Sequence, residues 1–211
     1  RFKKDLDIYK IIDSAQEVRK NQFAEDAEDK DLMIFSLYPT KPVGGIDGGV
    51  IVSNNKEKID YYRAITHLGV SSVNNNSWER RLITPGWKMH PNSPQCYVAL
   101  KNLEKLDEKN QRLDEISKKY NEAFDINNSS RHLYRVSVSN KKEFSKNMKE
   151  LGIETGLHYG PAHLHPFYNI EKSCDLSKTI QASSKTVSIP FNESLKNRDV
   201  KFIIDKVSKY K

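Results

Sequence analysis

With 211 residues, 36% of them hydrophobic, the chain suits one large domain or two small ones. Its core is expected to be modest, or completed in part by another chain. Lys and Arg outnumber Asp and Glu 35 to 28, for a formal charge of +7. The basic residues are interleaved with acids, as in EKLDEKNQRLDE. That pattern points to an anionic small ligand or a solvated lysine-rich surface, and no nucleic-acid-binding signature is present. Cys96 and Cys174 match no metal or redox spacing and are too few for a disulfide framework, which fits a reducing, cytoplasmic compartment. No stretch reaches membrane-spanning length, so no membrane partner is expected, and no secretory signal is visible.

In chain order, Ile8–Ile12 reads as a short buried strand with Asp13 at its C-terminal tip. A parallel-sheet strand with no partner before it is unusual, so the chain reads as starting in the middle of a domain. Residues 19–30 are polar and read as loop. Met33-Ile34-Phe35 is an apolar run, Lys41 comes next on a loop containing Gly44, Gly45, Gly48 and Gly49, and Val50-Ile51-Val52 is a second apolar run. This is strand, exposed loop, strand. Apolar spacing at Ile59, Tyr62 and Ile65 predicts a helix over 56–68, stopped by Gly69. Residues 70–81 are Asn/Ser-rich and predict a long loop. Asn92 or Ser93 can cap a helix with Pro94 in its first turn, and one stripe of Ala99, Leu103, Leu106, Leu113, Ile116 and Tyr120 extends it through Phe124.

The loop at 125–130 is the expected boundary. It divides the chain into residues 1–125, part of a large domain with a long linking helix, and residues 126–211, a small α+β domain. In the second part the pattern predicts strands at 132–138, 153–159 and 186–189. Helices are predicted at 141–151, 175–185 and 195–210.

Asp13, Gln16, Ser36 and Lys41 lie near predicted strand ends. Ligands of α/β sheets tend to collect there, and a lysine on a tight loop between buried strands is placed to act as a nucleophile. A pyridoxal phosphate (PLP) site needs such groups. An amine forms a Schiff base, a carboxylate keeps the pyridine nitrogen protonated, a hydroxyl and backbone N–H groups hold the phosphate, and a polar side chain near the phenolic oxygen fixes the ring plane. Taken singly, each has a plainer reading: Lys41 as a solvated charge, Asp13 as a turn cap, Ser36 as a small core residue. His158, His163 and His165 invite a metal reading, but their spacing matches no common zinc pattern and no Cys or carboxylate sits among them.

Taken together, the runs Ile12-Asp13-Ser14-Ala15-Gln16, Ser36-Leu37-Tyr38-Pro39-Thr40-Lys41 and Gly48-Gly49-Val50-Ile51-Val52 resemble the DegT-like, fold-type I PLP-dependent sugar-nucleotide aminotransferases. That family shows D-x-A-(Q/H), S-F-x-x-x-K and G-D-G-G-x-(I/V). Pro85-Gly86-Trp87-Lys88 is similar to its P-G-Y-(N/K). The run from Glu154 to His163, ETGLHYGPAH, is similar to its E-T-G-x-H-Y-x-P-x-H, and Ser188-Ile189-Pro190 to its S-L-P. The resemblance covers nearly the whole chain.

It implies an α/β fold, the C-terminal part of a fold-type I large domain followed by a small α+β domain. It also implies transamination of a keto sugar nucleotide, with glutamate or glutamine as donor, in sugar or cell-surface polysaccharide biosynthesis. By resemblance Lys41 is the catalytic amine and Asp13 faces the pyridine nitrogen. Gln16 lies near the ring oxygen and Ser36 touches the phosphate. Lys88 reaches the PLP phosphate of a neighbouring subunit in a dimer. His163 and, more weakly, His158 border the substrate, while Tyr159 suits packing equally well. The chain departs from the family in two places. Roughly the first half of the large domain, which carries the phosphate loop and the ring-stacking aromatic residue, has no counterpart. His90-Pro91 also stands where Arg and an apolar residue are usual. The alternative reading is a non-catalytic fragment or split-enzyme piece, pairing with the missing half and keeping dimerisation and substrate-domain surfaces.

Overall fold

The computed structural model describes residues 10–71, 76–168 and 175–211. They divide into two compact units, Arg1–Asp107 and Glu108–Lys211.

The first unit is built on three strands: β1 (Ile11–Asp13), β2 (Leu32–Ser36) and β3 (Gly49–Val52). Ile8 and Tyr9, expected in the first strand, lie outside the described residues. β1 runs parallel to β2, with Asp13 opposite Ile34, and β3 returns antiparallel, with Gly49 opposite Ser36. Leu32 and Met33 are buried, while Ile11, Val50 and Ile51 stay exposed. The stretch before β2, expected as loop, contains a five-residue helix, α1 (Gln22–Asp26). It is too short for an apolar periodicity to reveal it. The reason for its placement is Gln22, which is buried and donates to Ser14 Oγ at 3.0 Å.

α2 (Lys56–Thr66) is capped by Asn55, whose side chain accepts from the Lys58 N–H. It ends just before Gly69, at φ +77°, where a Cβ would sit 1.8 Å from Thr84 O. Only glycine fits that approach. α3 (Ser93–Glu104) starts with an Asn92–Gln95 capping box and Pro94 in its first turn. A short 3₁₀ turn at Ser77–Glu79 interrupts the expected long loop.

The single helix expected over 93–124 is two. α3 ends at Glu104 with Lys105 as its C-terminal cap, and α4 (Leu106–Phe124) begins immediately after that cap. The apparent continuous stripe serves two purposes. Ala99 is buried in the first unit, Leu103 is about half exposed, and Leu113, Ile116 and Tyr120 are buried in the second. The division at Asp107/Glu108 thus precedes the loop at 125–130, because nearly all of α4 packs with the strands and helices C-terminal to it.

The second unit has a continuous core. β4 (Tyr134–Ser137) pairs antiparallel with β5 (Thr186–Ile189). Their inward residues Tyr134, Val136, Val187 and Ile189 meet α4, α5 (Lys141–Glu150) and α7 (Asn197–Tyr210) through Ile116, Tyr120, Phe144, Met148, Val200, Ile203 and Val207. α6 (Ser177–Lys185) leads directly into β5. The strand expected over 153–159 does not form. Only Gly156 joins the sheet, exchanging N–H···O bonds of 2.9 and 2.8 Å with Ser188. Gly160 and Pro161, close behind it in the chain, break the extended run that strand pairing needs.

Candidate active site

The parallel pairing of β1 and β2 brings their C-terminal ends to one edge of the sheet, where β3 begins. Asp13 is the last residue of β1, and Ser36 the last of β2. Because Asp13 is opposite Ile34 and side chains alternate along a strand, Asp13 and Ser36 share a face. Each is shaped by a local bond. Asp13 Oδ1 accepts the Ala15 N–H at 2.9 Å, and Ser36 Oγ accepts the Tyr38 N–H at 3.2 Å. Oδ2 of Asp13 accepts nothing among the described residues, and the Ser36 hydroxyl keeps its proton for donation. Gln16 lies beyond β1, exposed, in the turn after Asp13.

Lys41 sits on the β2–β3 connection. The Lys41 N–H donates to Tyr38 O at 2.9 Å, closing a turn. The Leu37 N–H donates to Gly48 O and the Gly45 N–H to Leu37 O, both at 2.9 Å, which draws the two legs of the loop together. Glycine is required here by contact. A Cβ on Gly45 would lie 2.9 Å from Leu37 O, and one on Gly44, which has φ +68°, 3.0 Å from Pro39 O. α3 braces the loop, with Asn102 Nδ2 donating to Gly44 O and Ala99 packed beside Gly45. The Lys41 side chain is half-buried, and its Nζ has no hydrogen bond or ion pair among the described residues.

Lys88 lies on a segment tied to the end of α2: the Trp87 N–H donates to Ile65 O at 2.8 Å and the Met89 N–H to Thr66 O at 2.9 Å. Its side chain is exposed. His158 and His163 belong to the second unit. His158 Nδ1 is 2.9 Å from Ser188 Oγ, and its ring lies so close to Gly156 that a Cβ there would be 2.6 Å from Cε1. His163 Nε2 is buried with no hydrogen-bond partner among the described residues. Among the described residues no group of His, Cys, Asp or Glu could hold a metal ion, and no helix is long and apolar enough to cross a membrane. Cys174 lies outside the described residues, and Cys96 is a free, exposed thiol.

Sequence reasoning missed the groups that prop this arrangement: Gln22 beneath Ser14, and Asn102 on the glycine loop. Neither has a spacing that announces it, because both act across the chain rather than along it.

The model of the DegT/DnrJ/EryC1/StrS aminotransferase family matches residues 7–208. The chain belongs to that family. The relatives agree. The spore coat polysaccharide biosynthesis protein SpsC of Bacillus subtilis is 29% identical, over 84% of this chain and 53% of its own length. A UDP-4-amino-4,6-dideoxy-N-acetyl-beta-L-altrosamine transaminase of Campylobacter jejuni is 28% identical, over 83% and 51%. Among solved structures, a DegT/DnrJ/EryC1/StrS aminotransferase from Brucella abortus superposes with a TM-score of 0.80 at 22% identity, over 94% of this chain and 56% of that one. The Helicobacter pylori aminotransferase PseC superposes with a TM-score of 0.73 at 21% identity, over 84% and 52%. The α/β fold is therefore that of the DegT-type PLP-dependent aminotransferases, and the chain spans about half the length of the curated relatives it matches.

Aminotransferases of the DegT/DnrJ family are PLP-dependent. The donor set at the sheet edge fits that cofactor: one carboxylate with an oxygen to spare, one hydroxyl able to donate, and one amine without a competing anion among the described residues, all on backbone held by short bonds.

Proposed function

We propose that this chain is the C-terminal part of a PLP-dependent sugar-nucleotide aminotransferase acting in the cytoplasm, with glutamate or glutamine as amino donor and a keto sugar nucleotide as acceptor. The observation that carries the reading is the gathering of Asp13, Ser36 and Lys41 at one edge of one sheet, with Lys41 Nζ unpaired among the described residues.

When bound, PLP supplies an electron sink that makes the carbon next to the transferred nitrogen acidic. The chain's own residues then have these tasks. Asp13 Oδ2 would hold a proton on the ring nitrogen by charge. Ser36 Oγ would donate to the phosphate, and Gln16 would orient the ring from its oxygen side. Lys41 Nζ, uncompensated by any carboxylate among the described residues, would act as nucleophile and afterwards take and return a proton. Lys88 would place a cation on the phosphate held by a second subunit, and His163, with His158, would border the sugar.

The test is trapping. Incubation with PLP followed by borohydride should leave a pyridoxyl group on Lys41, located by peptide mass mapping, and the Lys41→Ala chain should show none. The alternative reading is a non-catalytic module that pairs with a separate half. Absence of the adduct in the unsubstituted chain, with or without that half, would favour it.

A further inference from the structure

The face of the second unit's sheet turned away from its core holds an open hollow of about 560 Å³. Its floor is set by strand register. Arg135 is opposite Ser188 and Ser137 opposite Thr186, so these residues project from the face opposite Tyr134, Val136, Val187 and Ile189. One wall is α6, which presents Lys178, Thr179 and Ser183 at helical spacing. The other is the segment from His158 to Ala162, fixed by the His158–Ser188 contact of 2.9 Å.

The charge of this hollow is one-sided. Arg135 and Lys178 line it, and among the described residues no carboxylate does. Neither cation has an ion pair or hydrogen bond among the described residues, whereas Arg19, Arg112 and Arg131 each meet a carboxylate within 3 Å. The carboxylate next to α6, Asp175, is occupied by Ser177: it accepts from the backbone N–H at 2.9 Å and from Oγ at 3.1 Å. Lys141 adds a further positive charge behind the wall, its Nζ donating to Ser183 O at 2.8 Å. Arg135 and Lys178 are both exposed, so solvent balances them in the free chain, and an anion seated in the hollow would take over that role.

We propose that this hollow is an oxyanion site that takes a phosphate ester, with the Arg135 guanidinium as the forked donor, Lys178 as the point charge, and the hydroxyls of Thr179 and Ser183 completing the shell. A nucleoside diphosphate and free pyrophosphate share this chemistry. The inference deepens the aminotransferase reading, since His158 belongs to both, but it concerns binding and not turnover.

Calorimetric titration of the 211-residue chain with UDP, pyrophosphate and uridine tests it. Pyrophosphate should bind and uridine should not. UDP binding as well marks the nucleotide as the source of the anion, and pyrophosphate binding alone marks free phosphate. Arg135→Gln and Lys178→Gln should each weaken the anion about tenfold or more, the loss expected for one charge-assisted contact. Lys146→Gln, on an exposed helix face of the same unit, should change nothing, and far-UV dichroism should show all three variants folded. No binding of pyrophosphate at millimolar concentration, equal affinity in all variants, or equal binding of uridine would overturn the assignment. Loss of PLP trapping with anion binding intact would sink the aminotransferase reading alone.

Discussion

Asp31 is the buried carboxylate on which the placement of Asp13 depends. Its side chain is wholly inaccessible, and it joins the start of β1 to the start of β2. Oδ1 accepts the Lys10 N–H at 3.2 Å, Oδ2 accepts the Glu28 N–H at 2.9 Å, and Lys10 Nζ lies 3.3 Å from Oδ2. Asp31→Ala leaves both N–H groups without acceptors and Lys10 without its inner partner. Hydrogen bonds to a charged acceptor contribute about 1.5–3 kcal/mol each, and breaking a buried pair costs about 3–5 kcal/mol, so the alanine variant should lose about 3–5 kcal/mol. Asp31→Asn keeps one acceptor and should lose about 2 kcal/mol.

Both tryptophans, Trp78 and Trp87, lie in the first unit, so their fluorescence in a urea titration reports on that unit alone. With a slope of about 1.5 kcal/mol per molar, the alanine midpoint should fall by ~2–3 M. Burial by itself would raise the Asp31 carboxyl, but the Glu28 and Lys10 N–H groups and the Lys10 amine outweigh it and hold it below the ordinary carboxylate value. A depressed carboxyl stabilises the fold above its unfolded pKa and stops doing so as pH falls through the lower folded value. The gap between the unsubstituted chain and Asp31→Asn should therefore be full at neutral pH and close below about pH 4. A midpoint unchanged by Asp31→Ala, or a gap that grows in acid, would refute this account.

Gly45→Ala should reduce PLP trapping on Lys41 while leaving the second unit's unfolding transition unchanged, because the new Cβ at 2.9 Å from Leu37 O must push the loop out of place; the strain expected is about 1–3 kcal/mol. Ile116→Ala, at a fully buried position of the second core, should cost about 2–5 kcal/mol by thermal or urea denaturation monitored in the far ultraviolet. Tyr120→Phe removes the 3.0 Å bond from the buried hydroxyl to Pro190 O and should cost about 1 kcal/mol. Burial also pushes the Tyr134 phenol up from 10.0 to about 12. A raised phenol favours the fold fully below the unfolded value, so the second unit should hold its stability to about pH 10 and lose it progressively toward pH 12, and tyrosinate absorbance should rise together with unfolding.

The residues legible in the sequence and those that were not divide along a physical line. The places of Asp13 and Ser36 at strand ends, and of Lys41 on the loop that follows, were legible because a strand end shows as an apolar run that stops. The glycines after Lys41 were legible for a related reason: a loop that folds back on its own carbonyls excludes a Cβ, as the 2.9 and 3.0 Å approaches at Gly45 and Gly44 show. The single long helix was misread because periodicity records which face is apolar, not what that face meets. Ala99 and Ile116 continue one stripe in sequence, yet each is buried in a different unit, and the backbone breaks at Lys105 between them. The strand predicted at 153–159 fails for a local reason. Gly160 and Pro161 end the extended run, and Gly156, whose missing Cβ leaves room for the His158 ring, gives one bridge to Ser188 rather than a ladder. Arg135 and Lys178 carry no signal along the chain at all. Their meeting depends on a strand register and a helix face chosen by the core on the other side of the sheet, so a charged site of this kind becomes visible only once the hydrophobic residues have set the backbone.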